Sequence, residues 1–244
     1  GTPCARDSPA TTVVAMTTLT SRPTAADTSF PLNRSARLVA AALFVGGGLL
    51  QLAEFILENP VDDPAARIAW WLAHDTRTQL SQTVGLLAVP LMIGSFLFGY
   101  RLIREQSRRL ATVAISMLVC AMVGLAMVHG VEFAARWAAV AGDTDGAVAV
   151  LEGDQPGVPG VVGFVMFLDC AFLGNLLVAV ALWRSRYVPR PVPVLVLAFV
   201  VLDFVAGQGL VSHALDLATD GLFAWACLAG YIRSPRAGTT TGAH

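Results

Sequence analysis

Six long apolar stretches alternate with short polar connections along this chain, near 36–57, 78–100, 110–133, 158–183, 191–212 and 215–232. Each approaches the ~20 residues with which a helix crosses the hydrocarbon core of a bilayer. In lipid every backbone N–H and C=O must be paired within its own segment, so these stretches predict helices. The pattern predicts an all-α fold, a polytopic membrane helical bundle of about six transmembrane helices over residues 36–233, placed in the cell membrane as a multi-pass protein. Residues 1–35 are rich in Ser, Thr, Pro and Ala and have no apolar run long enough for a signal peptide. They read as a disordered cytoplasmic arm, with Met16 a candidate start, and residues 234–244 read as a disordered tail.

The polar residues inside the apolar stretches are unevenly distributed. Glu54, Glu58, His129, Glu132, Asp169, Asn175, Asp203, Gln208, His213 and Asp216 fall mostly toward one end. A carboxylate at the centre of a spanning helix costs about 2.5–3.5 kcal/mol on insertion scales, so such residues are rarely idle. Their convergence predicts a pocket near the outer leaflet.

Composition agrees with the membrane class. The chain has 244 residues, 55% hydrophobic and 14% charged, with mean hydropathy +0.65. A net charge of −1 gives nucleic acid nothing to bind. All 16 basic residues are arginine, which excludes lysine Schiff-base chemistry. The four cysteines form no CxxC. Arginines set the topology. Arg34 and Arg37 precede the first stretch, and Arg101, Arg104, Arg108 and Arg109 follow the second. Arg184, Arg186 and Arg190 follow the fourth, and Arg233 and Arg236 the sixth. The alternate connections carry Asp62, Asp63, Asp143, Asp145, Glu152 and Asp154. The positive-inside rule places both termini in the cytoplasm.

Local signals add detail. Asp63-Pro64 is a helix start, with Asp63 as cap and Pro64 at the first helical position. Trp70 and Trp71 mark an interfacial segment. Asp75 or Thr76 is the expected cap of the second spanning helix, and Pro90 its expected kink. Asp143 to Gly160 reads as an outer loop. The last two helices are expected to join around Ser212 to Ala218.

Helical spacing groups the polar residues into stripes: Gly47, Gln51, Glu54 and Glu58; His129, Glu132 and Arg136; His213, Asp216 and Asp220. Asp203 lies roughly 20 Å along its helix and Asp169 roughly 16 Å below the outer face. Glu54, Asp169 and Asp203, with Glu132, are the candidate catalytic acids, because a carboxyl buried without a cation tends to keep its proton and serves as a general acid. His129, His213, Gln208, Asp216, Phe133, Phe172, Phe204 and Trp225 are the candidate substrate-binding residues, the aromatic faces suiting positive charge. Plainer roles stand beside these. Glu58, Asp216 and Asp220 also suit an interfacial position, Glu132 and Arg136 an i,i+4 ion pair, and the histidines and Asn175 helix-to-helix hydrogen bonds. His129, Glu132, His213 and Asp216 also have metal-ligand chemistry, but neither HExxH nor ExxH is present, and no metal or other cofactor is expected.

GlnLeuAlaGluPheIleLeu at 51–57, HisGlyValGluPhe at 129–133 and LeuAspPheValAlaGlyGlnGly at 202–209 resemble small multi-pass membrane proteins of actinobacteria. Size and intramembrane acids also resemble the bacterial integral-membrane terpene cyclases. That resemblance implies a metal-free cyclisation of a lipophilic prenylated substrate started by protonation, with Glu54 as the early acid and Asp203 or Asp216 as the late one. The absence of a DDxxD-type motif fits protonation rather than diphosphate ionisation. Two other classes compete: a proton-coupled small transporter or channel, and a non-catalytic membrane subunit. Membrane lipid is a partner under all three.

Overall fold

The computed structural model describes residues 34–58, 61, 63–104, 107–152, 159–185, 188–205 and 209–228. These residues form eight helices and no strand: α1 (Arg34–Leu57), α2 (Pro64–Ala73), α3 (Asp75–Ile103), α4 (Arg108–Val140), α5 (Thr144–Glu152), α6 (Pro159–Arg184), α7 (Pro191–Phe204) and α8 (Leu210–Leu228). Four helical segments are long and apolar enough to cross a membrane: Ser35–Leu57, Asp75–Ile103, Arg108–Val140 and Gly160–Arg184. Large apolar side chains such as Leu49, Leu97, Val123, Val165 and Val201 face outward, about half exposed. A bundle in lipid needs such faces, and a water-soluble one rarely tolerates so many.

Without a hydrophobic drive between helices in lipid, close packing depends on small residues. Gly124 of α4 and Gly163 of α6 show this: a Cβ at Gly124 would lie 2.5 Å from the Gly163 carbonyl oxygen. On α1, Gly47 makes room for Met92 of α3, and Gly48 for Leu217 and Asp220 of α8. Phe44 stacks on Phe223 at 5.0 Å, and Phe55 meets His213 at 4.6 Å. Rising residue numbers on α1 therefore meet falling ones on α8, so the two helices run antiparallel.

The helix ends follow the local chemistry with three corrections. Asp63 caps α2, accepting from the Ala66 N–H at 2.7 Å, with Pro64 in the first turn. The cap of α3 is His74, not Asp75 or Thr76; Asp75 sits in the first turn and pairs with Arg136. The segment expected as an outer loop contains α5. Its first turn is fixed by Asp143 Oδ1, which accepts from the Gly146 N–H at 2.9 Å. Ala147 of α5 then packs with Ile68 and Trp71 of α2 and Ala135 and Ala139 of α4. The break between the last two helices comes earlier than expected. Helix α8 already begins at Leu210, and Ser212 donates to the Gly209 carbonyl at 2.9 Å. His213, Asp216 and Asp220 are thus all helical and share one face. Helix α3 is continuous through Pro90.

Candidate functional site

Glu54 lies in the last turn of α1, where the first third of α3 grips it. Arg77, Ser81 and Gly85 recur every four residues and so form one stripe on α3. Arg77 donates to the carbonyls of Leu57 and Ile56, both at 2.8 Å, satisfying free acceptors at the end of α1. Ser81 donates to the Glu54 carbonyl at 3.2 Å. Gly85 lies directly under the Glu54 carboxylate, in space that a Cβ would occupy. A side chain at this position would have to displace the carboxylate, the far end of a flexible side chain.

His129 of α4 reaches the same carboxylate. Its Nε2 is 3.5 Å from Glu54 Oε1, and its Nδ1 is 3.5 Å from Glu132 Oε2, one turn further along α4. The ring is 3% exposed, and neither nitrogen makes a hydrogen bond within the described residues. These separations are within ion-pair range but longer than good hydrogen bonds. Catalytic contacts are often loose before a ligand tightens them. The other oxygen of Glu132 accepts from Arg67 of α2 at 2.8 Å, and the same guanidinium nitrogen pairs with Glu58. Arg67 also lies over the Trp71 ring at 5.2 Å. The result is a continuous series, Glu58–Arg67–Glu132–His129–Glu54, drawn from α1, α2 and α4.

Outside the spanning segments the electrostatics follow from burial. Burial pushes the Glu58 carboxyl above its ordinary value, with Arg67 opposing. Burial works against the Arg67 charge, yet the carboxylates of Glu132 and Glu58 outweigh it and hold the guanidinium above its ordinary value.

This series forms one wall of a chamber of about 520 Å³, within the range of small-molecule sites. Its other walls are mostly apolar and include Phe55, Leu125, Val128, Leu151, Phe164 and Phe167. Beside it, Thr78 and Gln82 of α3 bring buried, unpaired polar atoms to a hole of about 10 Å³ bounded by Glu54, Glu58 and Glu132. A second cavity of about 80 Å³ shares Gln51, Phe167 and His213 with the first. It is lined by Asp203, Asp216, Asp220 and Asn175. Asp203 is 8% exposed, and its Oδ1 has no hydrogen-bond partner within the described residues.

The expected site residues thus divide. Glu54, Glu132 and His129 come together in the first chamber. Asp203, Asp216 and Phe204 line the second cavity, and His213 lines both. Phe172 packs edge-on to Phe204 at 5.6 Å. Phe133 is partly buried and lines neither cavity. Gln208 lies outside the described residues. Two more expected residues, like Phe133 and Phe172, line neither cavity. Asp169 is exposed on the outward stripe of α6 between Val165 and Leu173, because a four-residue step keeps all three on one face. Trp225 is 47% exposed on α8, away from both cavities. The expected Glu132–Arg136 pair is replaced by Glu132–Arg67 and Arg136–Asp75. Among the described residues no three His, Cys, Asp or Glu side chains are placed to hold a metal ion.

Sequence reasoning passed over Arg67 and gave Gly85 no role. The available signals were a lone arginine four residues after the Asp63 cap and a glycine in step with Ser81. Comparison with protein families, with curated proteins and with solved structures found no match to this chain.

Proposed function

We propose that this chain is a membrane enzyme of the cell membrane that cyclises a lipophilic prenylated substrate by proton transfer from Glu54, without a metal. In this reading six helices cross the bilayer, α7 and α8 among them, and both termini are cytoplasmic. Arg101, Arg104, Arg108, Arg109, Arg184 and Arg190 support that orientation. They gather where α3 meets α4 and where α6 meets α7, while Asp63, Asp75, Asp143 and Asp145 gather at the opposite turns.

The carrying observation is the unequal pair of carboxyl groups on either side of His129. Glu132 is held by Arg67, whereas among the described residues the Glu54 carboxyl meets the His129 imidazole and Gly85 of α3 and pairs with no guanidinium. Two acids in contrasting environments divide donor and acceptor roles. Glu54 gives its proton to an alkene carbon of the substrate, and the alkene's electron pair forms the new C–H bond. A second double bond attacks the resulting cation and closes a ring. Loss of a neighbouring proton to His129 restores an alkene, and His129 returns that proton to Glu54. The reaction is then a net isomerisation with no redox partner. Glu132, fixed by Arg67, orients the imidazole. The apolar walls keep water from the cation.

The test is mass spectrometry of lipid extracts from cells carrying the protein and a prenylated candidate substrate. Glu54→Gln should reduce product by about 10²–10⁴-fold, the usual weight of a general acid, with the fold intact by thermal unfolding. Asp203→Asn, one cavity away, should retain most turnover. Undiminished product from Glu54→Gln would end the assignment.

A second reading is proton-coupled transport. It is favoured by the adjoining cavities, which bring Glu54, His213, Asp203, Asp216 and Asp220 into succession. Vesicles containing the protein and a trapped pH dye separate the two, because only a carrier or channel dissipates a proton gradient.

A further inference from the structure

We infer that the outer chamber is a binding site for a lipophilic organic cation, a hydrophobic molecule bearing an ammonium or other onium group, and that it rejects anionic lipophiles of equal size. The inference goes beyond cyclisation, since it requires no turnover.

Charge and shape carry it together. Four carboxyl groups line the chamber, those of Glu54, Glu58, Glu132 and Glu152, against the single guanidinium of Arg67. That guanidinium already serves Glu58 and Glu132, so it offers an incoming anion little. The four carboxyl groups outnumber the three lining groups able to carry positive charge, Arg67, His129 and His213. The remaining surface is aliphatic and aromatic, with Phe55, Phe164 and Phe167 available for cation–π attraction. A ligand that fits must therefore be greasy over most of its surface and positive or neutral at the Glu54 end. His129 gives a separate sign of a ligand. It is 3% exposed, lines the chamber, and has both ring nitrogens without a hydrogen-bond partner. Each nitrogen stands 3.5 Å from a carboxylate oxygen, of Glu54 or of Glu132, within ion-pair range but too far for a good hydrogen bond, so its hydrogen bonding is left for a group in the chamber to complete.

Tetraphenylphosphonium and tetraphenylborate are suitable probes, nearly the same in shape and opposite in charge. Binding of each is measured by titration calorimetry on the full chain in a neutral detergent, with the thermal shift recorded in parallel. Tetraphenylphosphonium should bind at least about tenfold more tightly than tetraphenylborate and should raise the unfolding temperature, as any ligand of the folded state does. Glu54→Gln and Glu58→Gln should each weaken the cation several-fold and narrow the preference. Leu125→Trp fills the chamber without changing its charge and should weaken the cation while leaving the fold intact, so a Glu54 variant that fails to fold does not remove the test. Equal or tighter binding of the borate would overturn the inference, as would cation binding that ignores both Glu54→Gln and Leu125→Trp. Cation binding without product formation leaves the site standing and removes only the cyclisation reading.

Discussion

Removing Arg67 should expose how far its ion-pair network stabilises the fold. Its guanidinium joins Glu58 at the end of α1 to Glu132 of α4, and the side chains of Arg67, Glu58 and Glu132 are 27%, 31% and 15% exposed. Fully exposed ion pairs contribute about 0–1 kcal/mol. Breaking a fully buried one costs about 3–5 kcal/mol, because a charge is left without a partner. Three groups between these limits, with two carboxylates abandoned by one substitution, place Arg67→Ala near 2 kcal/mol. For a chain of this size that is a fall of about 4–8 °C in unfolding temperature. Trp70 and Trp71 sit on the same short helix, so tryptophan fluorescence in detergent should detect the loosening of α2 together with or before circular dichroism. Glu132→Gln on top of Arg67→Ala removes one of the stranded charges and should recover about half of the loss. The resulting double-mutant cycle should give a coupling of about 1–2 kcal/mol. An Arg67→Ala protein that melts within about 1 °C of the parent, or a cycle near zero, would show that the network contributes nothing to the fold.

Four shorter predictions follow from the same geometry. Gly85→Ala gains about 1 kcal/mol of helix propensity but forces the Glu54 carboxylate off α3; unfolding temperature should change little while tetraphenylphosphonium binding falls as in Glu54→Gln. Asp169→Asn changes a residue outside both cavities, so product yield and cation binding should match the parent; a loss comparable to Glu54→Gln would contradict the outward placement of Asp169. Burial raises the Glu58 carboxyl above its ordinary value of 4.5, so the folded state holds that proton more tightly than the unfolded chain, and this contribution to stability declines as pH rises from about 4.5 through the raised value. The unfolding temperature of Glu58→Gln relative to the parent should therefore increase over that interval, and a decrease would mean that Arg67 outweighs burial. Arg77→Ala strips two acceptors at the end of α1 of their donor and should raise amide exchange at Glu54 to Glu58 without altering exchange at Phe44.

The four long apolar helices were legible in the sequence because lipid leaves such a segment few alternatives. Lone acids in apolar runs pointed to Glu54, His129 and Glu132, and the three-residue step between His129 and Glu132 placed them on one face. Rotation was harder to read. Helix α6 is apolar on every side, so nothing in its pattern distinguishes the face bearing Asp169 from the face bearing Asn175. Long-range pairing was invisible for another reason: Arg136 has Glu132 one turn before it, and only the packing of α2 and α3 against α4 gives Glu132 to Arg67 and Arg136 to Asp75. The loop expected near Asp143 became α5 because an Asp-x-x-Gly cap precedes a short run of alanine and valine that Ile68 and Trp71 can cover.

What lies beneath the chamber bears on the choice between a reaction vessel and a conduit. The second cavity carries three aspartates with no arginine in its lining. A third cavity, of about 60 Å³, continues from it past Asp216 and Asp220 toward Ile103 and Leu182, and its lower part is phenylalanine, isoleucine, leucine and valine. Thr219, at that border, already donates its hydroxyl to the Leu215 carbonyl at 2.8 Å. From Phe44, beside this cavity, to the start of α1 at Arg34 is ten residues, or about 15 Å of helix, without a carboxyl or imidazole on α1 to receive a proton. Among the described residues, a proton that reaches Asp220 through His213 and Asp216 therefore meets a largely apolar floor. That arrangement suits a store of protons behind Glu54 better than a path across the bilayer. Vesicles containing the protein should accordingly hold an imposed pH gradient as long as empty ones do, whereas substitution of Phe223 by aspartate would open the floor and let the gradient decay. A leak already present in the parent protein, and lost in Asp216→Asn, would reverse this reading and make the aspartates a conduit.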